Sequence, residues 1–405
     1  MQRGEGLDAS DAADRSIRAA DRSIRLIREA QRRKPQGWMT VRGARANNLR
    51  GIDVRFPLGA LVGVCGVSGS GKSTLLIDTL GLALAPQKQT TSVAYENIEP
   101  GEHEAIEGAP RRVVVVDQTR RGVSSPASFL DLNGPLHALY AQGEDARALG
   151  LGEKELGQRC SACGGSGEMA IDMGFLPQVH TPCEACRGTG YRPEAWQVRL
   201  HGVALPDLFS MTIDQVYALF AGEDRLARPL AMAREVGLGY LVLRQPGYAL
   251  SGGEAQRLKI VKELCRSGRG RSGSGGTPSR EGTLYILDEP TVGQHLEDVA
   301  RLVGVLHRLV EGECGGVGVW ECGGTGGGQS KVVATRVAGQ DSHRRNTVVV
   351  VEHHPHLLAA CDWLIELGPG GGPDGGLVIA TGTPEAVAAG NTPTAPYLRE
   401  VLGRE

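Results

Sequence analysis

Residues 60 to 74 read "ALVGVCGVSGSGKST". The first eight are apolar without alternation, and the remainder contains G-x-x-x-x-G-K-S from Gly66 to Ser73. An apolar strand that runs into a glycine turn and then a helix is the context in which this motif cradles phosphate. The glycines let backbone amides turn inward, and the helix N-terminus adds partial positive charge. Gly66, Val67, Ser68, Gly69, Ser70, Gly71, Lys72, Ser73 and Thr74 are therefore the expected nucleotide contacts. Lys72 would reach the β- and γ-phosphates of ATP, and Ser73 would hold Mg2+.

Three more short apolar runs lie far along the chain: "VVVVD" (113 to 117), "LYILDE" (284 to 289) and "NTVVVVEH" (346 to 353). All are rich in Val, Ile or Leu, as strands buried on both faces of a parallel sheet are. Helical segments at 72 to 84 and 254 to 266 lie between runs, and another at 297 to 309 precedes the last. The expected fold class is α/β, with a mostly parallel sheet core. At the end of "LYILDE", Asp288 is placed to hold Mg2+ through water, and Glu289 to polarise an attacking water.

"LSGGEAQR", Leu250 to Arg257, sets two glycines at a second helix start. Ser251, Gly252, Gly253 and Glu254 would form another cluster facing phosphate. This string resembles the signature motif of ATP-binding-cassette proteins, in which the signature of one module covers the γ-phosphate held by another. Gln118, after the strand at 113 to 117, matches that family's Q-loop, and His353 matches its switch histidine. The resemblance implies catalytic roles for Glu289, His353 and Gln118, a helical signature subdomain, and a homodimer or pairing with a full-length homologue.

The segment "CSACGGSGEMAIDMGFLPQVHTPCEACRGTG", 160 to 190, does not belong to such a core. Cys160 and Cys163 form one C-x-x-C pair and Cys183 and Cys186 another, separated by 19 residues. This spacing suits a tetrahedral four-cysteine zinc site with no position left open for catalysis. Gly165, Gly167, Gly188 and Gly190 follow the pairs and would let amides face the sulfurs. The Zn2+ would be structural and pin an inserted module. Cys314 and Cys322 lack the pair spacing, and Cys65, Cys265 and Cys361 read as small apolar residues.

A zinc module between phosphate loop and signature is similar to the UvrA family, the damage-recognition ATPases of the bacterial excision nuclease, and to their C-terminal half. "MGFLPQVHTPCEACRGTGY", "VGLGYLVLRQPGYALSGGEAQRLK", "LYILDEPTVGQH" and "NTVVVVEHH" carry the resemblance, which extends from about 38 to 390 outside the inserts. It implies an ABC ATPase that binds DNA and couples ATP binding and hydrolysis to damage recognition in nucleotide excision repair, with a UvrB-like partner and no nuclease of its own. Arg120, Arg121, Arg187 and Arg192 are the basic residues placed for DNA contact. The pattern departs from the family in four places. One cassette stands where two are usual. The segment "ARALGLGEKELGQR" before Cys160 is short. Gln294 replaces the usual leucine, and the 33 residues from Glu313 to Arg345 have no counterpart. Removing those residues leaves "LVEGNTVVVVEH", a seamless family junction.

The bulk numbers are consistent with this picture. The net charge of −2 neither requires nor excludes nucleic acid. There is no run of 18 apolar residues and no apolar segment near the start, so no membrane span or export signal is expected. Nine cysteines then read as thiols or metal ligands. The expected location is cytoplasmic, or organellar for a eukaryotic source. Residues 1–37 are expected to be a charged, solvated extension, with the tandem repeat "AADRSIR" at 12 to 18 and 19 to 25. The expected organisation continues with a first core segment (38–150), the zinc module (151–200), the signature subdomain and Gly/Ser-rich loop (201–282), a second core segment (283–312), a disordered insert (313–345) and a third core segment (346–405). Alternatives are a half-length non-catalytic remnant or regulatory partner, a UvrA-like drug self-resistance ATPase, and a transporter ATPase subunit.

Overall fold

A computed structural model of the chain describes residues 32–85, 88–90, 95–97, 99–118, 123–171, 179–267, 282–312 and 345–403. They fall into two compact units, one made of the described residues up to Asp117 and from Ser267 onward, and the other of those from Gln118 to Arg266.

The first unit holds nine strands that position the site: β1 (Trp38–Ala44), β2 (Ile52–Pro57), β3 (Leu61–Gly66), β4 (Ala105–Glu107), β5 (Val113–Val116), β6 (Leu284–Asp288), β7 (Thr347–Val351), β8 (Trp363–Gly368) and β9 (Leu377–Gly382). The order in the main sheet is β9-β8-β3-β7-β6-β5. Five of these strands are parallel, and β9 runs antiparallel at one edge. All four apolar runs read from the sequence are strands of this sheet. Those in β3 and β7 are buried at every position, as central parallel strands must be. β5 is only partly buried because it lies at the other edge. β8, β9 and the small antiparallel sheet β2-β1-β4 have no counterpart among those runs. The signal in β1 is alternation: Met39 and Val41 are buried while Thr40 and Arg42 are not.

Side chains from both sheets meet in one buried cluster that includes Met39, Phe56, Val64, Ile286 and Val349. Leu75, Leu76 and Leu80 join it from the helix that follows the phosphate loop, Thr74–Gly81. Each such side chain contributes about 1.5–3 kcal/mol on burial. This helix is wound with wide π-type turns, and the Thr79 hydroxyl donates to the Thr74 carbonyl at 2.8 Å. Such widened turns are frequent at functional sites.

The solvated reading of the extension does not hold for Arg32 and Arg33. Arg33 pairs with Glu311 at 2.6 Å and with Asp362 at 3.1 Å, and its side chain is only 12% exposed. Asp362 in turn accepts from the first amide of β3, Leu61 N, at 2.9 Å. Arg32 donates to Glu385 and to the carbonyls of Ala359 and Cys361. These partners are illegible from a charged segment because they lie about 280 to 350 positions away.

The second unit is mainly helical. Helix Ile213–Phe220 begins at a reciprocal cap: Thr212 Oγ1 accepts from Gln215 N, and Gln215 Oε1 accepts from Thr212 N. It buries Ile213, Val216 and Phe220. Helix Asp224–Glu235 packs beside it and buries Leu226 and Leu230. The signature helix is Gly252–Ser267. A two-stranded hairpin, Glu168–Ile171 with Val179–Pro182, stands between the two cysteine pairs. The tandem repeat, the Gly/Ser-rich loop at 268–281 and residues 313–344 of the insert lie outside the described residues. The ends of the insert are nevertheless adjacent. Asn346 N donates to Val310 O, and Asn346 Nδ2 donates to Leu309 O, each at 2.8 Å.

Candidate nucleotide site and metal centre

The phosphate loop hangs between β3 and its helix. Gly66 takes a φ of +130°, and a Cβ there would lie 2.0 Å from the Leu367 carbonyl oxygen. Only glycine fits that approach. Lys72 is buried and curls back across the loop, donating to Gly66 O at 3.0 Å and Val67 O at 2.7 Å. Burial lowers its pKa, and Glu289, Cys65 and Asp288 pull it back up. Ser73 is exposed at the start of the helix.

Asp288 ends β6, opposite Val351 of β7. Burial raises its pKa, and the carboxylates of Glu289, Asp117 and Asp78 raise it further. A divalent cation would relieve this crowding of negative charge. The donor set thus fits ATP with Mg2+: a glycine loop at a helix start, a buried ammonium and carboxylates that repel one another. Glu289 follows at φ +43°, a left-handed backbone that costs a residue with a β-carbon about 1–3 kcal/mol. Its Oε1 lies 3.0 Å from Nε2 of His353. The chain reaches these two residues from strand ends 64 positions apart, and the parallel register of β6 and β7 brings them together.

In the second unit, Gly252 and Gly253 open the signature helix. Glu254 Oε2 accepts from Ser251 N at 2.6 Å, and Ser251 Oγ accepts from Glu254 N at 3.2 Å. This is a capping box, and its S-x-x-E signal stands in "SGGE", beside the glycines that suggest phosphate binding. Burial opposes ionisation of Glu254, but hydrogen bonds from Tyr240 and Ser251 outweigh it and lower the pKa. Gln118 packs beside Gly252, where a Cβ would lie 3.1 Å from its backbone oxygen.

The four cysteines converge as the pair spacing implied. Their sulfurs all lie within 4.8 Å of one another, and Cys163 Sγ is 3.7 Å from Cys186 Sγ. Zinc–sulfur bonds of about 2.3 Å in a tetrahedron require sulfurs about 3.8 Å apart, so the cluster has the dimensions of a zinc site. Gly167 N donates to Cys163 Sγ at 3.3 Å, and Gly190 N donates to Cys186 Sγ at 3.2 Å. The two knuckles also brace each other: Cys160 N donates to Gly190 O and Cys183 N to Gly167 O, both at 2.8 Å. Burial opposes ionisation of Cys163, yet amides of Gly167 and Gly165 bring its thiol well below the ordinary value. Burial pushes the Cys186 thiol the other way. Hydrogen bonds tie this module to the segment before the signature. Arg244 Nη1 donates to Gly188 O, and the Tyr248 hydroxyl donates to Glu168, each at 2.7 Å.

Arg187 and Arg192 are both exposed beside the knuckle, Arg187 over the Trp196 ring at 5.7 Å. Arg120 and Arg121 lie outside the described residues, as do Cys314 and Cys322. Cys65 and Cys361 are buried, in keeping with an apolar role, while Cys265 is half-buried. No helix among the described residues is long and apolar enough to cross a membrane.

A phosphate loop, an acidic strand end, a histidine paired with the following glutamate and a capped signature helix define an ATP-binding cassette. Residues 49–269, more than half of the chain, match the family model described as ABC transporter, and the chain belongs to that family. Within it, the chain is homologous to UvrABC system protein A. It is 40% identical over 382 residues to that protein of Thermus thermophilus, a match covering 92% of this chain and 35% of the relative. It is 40% identical over 385 residues to the protein of Methanothermobacter thermautotrophicus, with the same coverage of 92% and 35%. The crystal structure of UvrA2 from Deinococcus radiodurans superposes with a TM-score of 0.71 at 37% identity, covering 92% of this chain and 40% of that one. The chain therefore spans about a third of the length of the curated relatives it matches.

Proposed function

We propose that this chain is an ATPase of the UvrA type that binds DNA and couples ATP binding and hydrolysis to damage recognition in nucleotide excision repair. The observation that carries the ATPase assignment is the pairing of Glu289 with His353 at 3.0 Å, in the unit that holds Lys72 and Asp288. The loop amides and Lys72 would hold the phosphates. Ser73 and Asp288 would hold Mg2+, which supplies neutralisation of phosphate charge. Glu289 would orient the attacking water, with His353 fixing its carboxylate. Ser251 to Glu254 would act from a second cassette, so two copies, or this chain and a full-length homologue, assemble around ATP. Gln118 would relay nucleotide state to the signature unit. The knuckle, with Arg187 and Arg192 beside it, would face DNA in the cytoplasm, and a UvrB-like protein would follow.

The test is ATP turnover by the purified chain with no DNA, intact duplex and lesion-bearing duplex. Stimulation by DNA, greater with a lesion, is expected. The DNA assignment fails if neither duplex changes the rate, and the ATPase assignment fails if there is no turnover under any condition. Glu289→Gln should lower the rate by about 10²–10⁴ while leaving ATP binding intact. Sedimentation with ATP should then find that variant paired; a monomer would contradict the shared site.

A further inference from the structure

Glu352 stands between the valines of β7 and His353, and only 2% of its surface is exposed. Both of its oxygens are in use. Oε1 accepts from Thr291 N at 3.1 Å and also from the Thr291 hydroxyl. Oε2 accepts from His353 N at 2.6 Å and from His354 N at 2.9 Å. The parallel ladder between β6 and β7 is prolonged by one bond, Glu289 N to Val351 O at 3.0 Å. The ladder pairs no residues beyond Asp288 and Val351, and the Glu352 carboxylate links the two segments that follow. On one side it holds Thr291, two residues after Glu289. On the other it holds the backbone of His353.

We infer that Glu352 is a positioning residue of the ATPase, whose carboxylate staples the exits of β6 and β7 so that His353 stays against Glu289. The inference rests on the ATPase assignment above. A side chain is needed for this because Glu289 has a left-handed backbone that a β-carbon disfavours, so the loop must be held from outside. The group must also be a carboxylate. Four donors converge on it, and only an ionised carboxylate accepts at both oxygens without presenting a hydrogen. Glutamine in either orientation would turn an NH2 group toward two of those donors.

The test uses the full chain. Glu352→Gln should lower kcat about ten- to a hundredfold, the scale expected for misplacing a catalytic group by about 1 Å. The ATP dissociation constant should change by less than about threefold, because the phosphate loop is not touched. In a His353→Ala background the same substitution should cost less than about twofold more, since the group it positions is already gone. Thr291→Val removes only the hydroxyl donor and should lower kcat severalfold in a folded protein, and Thr291→Ser should restore it. That pair gives the answer if the glutamine variant does not fold. An unchanged kcat in Glu352→Gln, or losses that multiply fully with His353→Ala, would overturn the role while leaving the ATPase assignment standing. A parent chain without any turnover would overturn both.

Discussion

The phosphate loop and the zinc knuckle use the same local device and draw their rigidity from opposite sources. In each, glycines at positive φ shape a tight loop: Gly66, Gly69 and Gly71 in the first, Gly165, Gly167, Gly188 and Gly190 in the second, where the amides of Gly167 and Gly190 donate to cysteine sulfurs. The phosphate loop is anchored by β3, which is buried at every position, and by a helix that contributes Leu75, Leu76 and Leu80 to the core. The knuckle itself carries no comparable apolar cluster among its described residues. Its buried cluster is Cys160, Cys183 and Cys186, with Cys163 packed against them. One site is held by apolar burial, and the other offers four converging sulfurs that a metal would hold. On the proposed reading a metal would be integral to the fold in one region and a visitor in the other.

Removing the metal should separate the two most sharply. The purified chain should carry one zinc, and either chelation or Cys183→Ser should unfold residues near 160 to 190. Structural zinc contributes on the order of 10 kcal/mol in small modules of this kind. Hydrogen exchange should show that loss while β3, β6 and β7 keep their protection and ATP still binds. If those strands lose protection as well, the regions are not independently held and the comparison breaks.

Acid should sharpen the contrast from the other side. Burial holds His307 neutral, with Arg33 adding to the effect, so that its pKa falls to about 4. A histidine depressed in the folded state leaves stability intact above the ordinary value of about 6.5 and drains it as pH falls toward about 4. The gap amounts to about 3 kcal/mol. His307→Gln should flatten the fall of melting temperature across that window. Loss of zinc from the knuckle in acid should persist in the variant, because it reflects protonation of thiolates. An unaltered slope in His307→Gln would place the acid sensitivity elsewhere.

A smaller effect, about 1 kcal/mol, is expected where the knuckle meets the signature segment. Chelation in the parent should loosen the amides of Ser251 to Gly253, because Tyr248 and Arg244 hold that segment to Glu168 and Gly188. With Tyr248→Phe and Arg244→Ala together, chelation should no longer reach those amides. Equal loosening in parent and variant would mean the coupling runs by another route. The smallest effect belongs to the insert. Deleting Glu313 to Arg345 should change stability by about 1 kcal/mol or less, since closure entropy grows slowly with loop length and Asn346 already touches Val310 and Leu309. Turnover should be unaltered; a deletion that abolishes folding or activity would make the segment a working element of the core.

Much of both sites is legible in the sequence because their signals are local. The run of valines in β7, the glycine spacing from Gly66 to Gly71 and the C-x-x-C pairs each lie within one short segment. Backbone conformation and ligand geometry at such places depend on neighbours in sequence, so residue type and spacing carry the answer. The sequence by itself therefore determined the parallel core, the phosphate loop, the acidic strand end, the signature helix and the identity of the four cysteines whose sulfurs converge. Tertiary structure alone decided what meets across the fold. Glu289 finds His353 because β6 and β7 lie in parallel register. Glu352, in sequence one more residue at a strand end, proves to be buried with both oxygens engaged. Arg32 and Arg33, legible only as charge, dock onto Glu385 and Asp362. Neither periodicity nor composition encodes such pairs, because their energy comes from desolvated polar groups that must be satisfied wherever the chain happens to bring partners together.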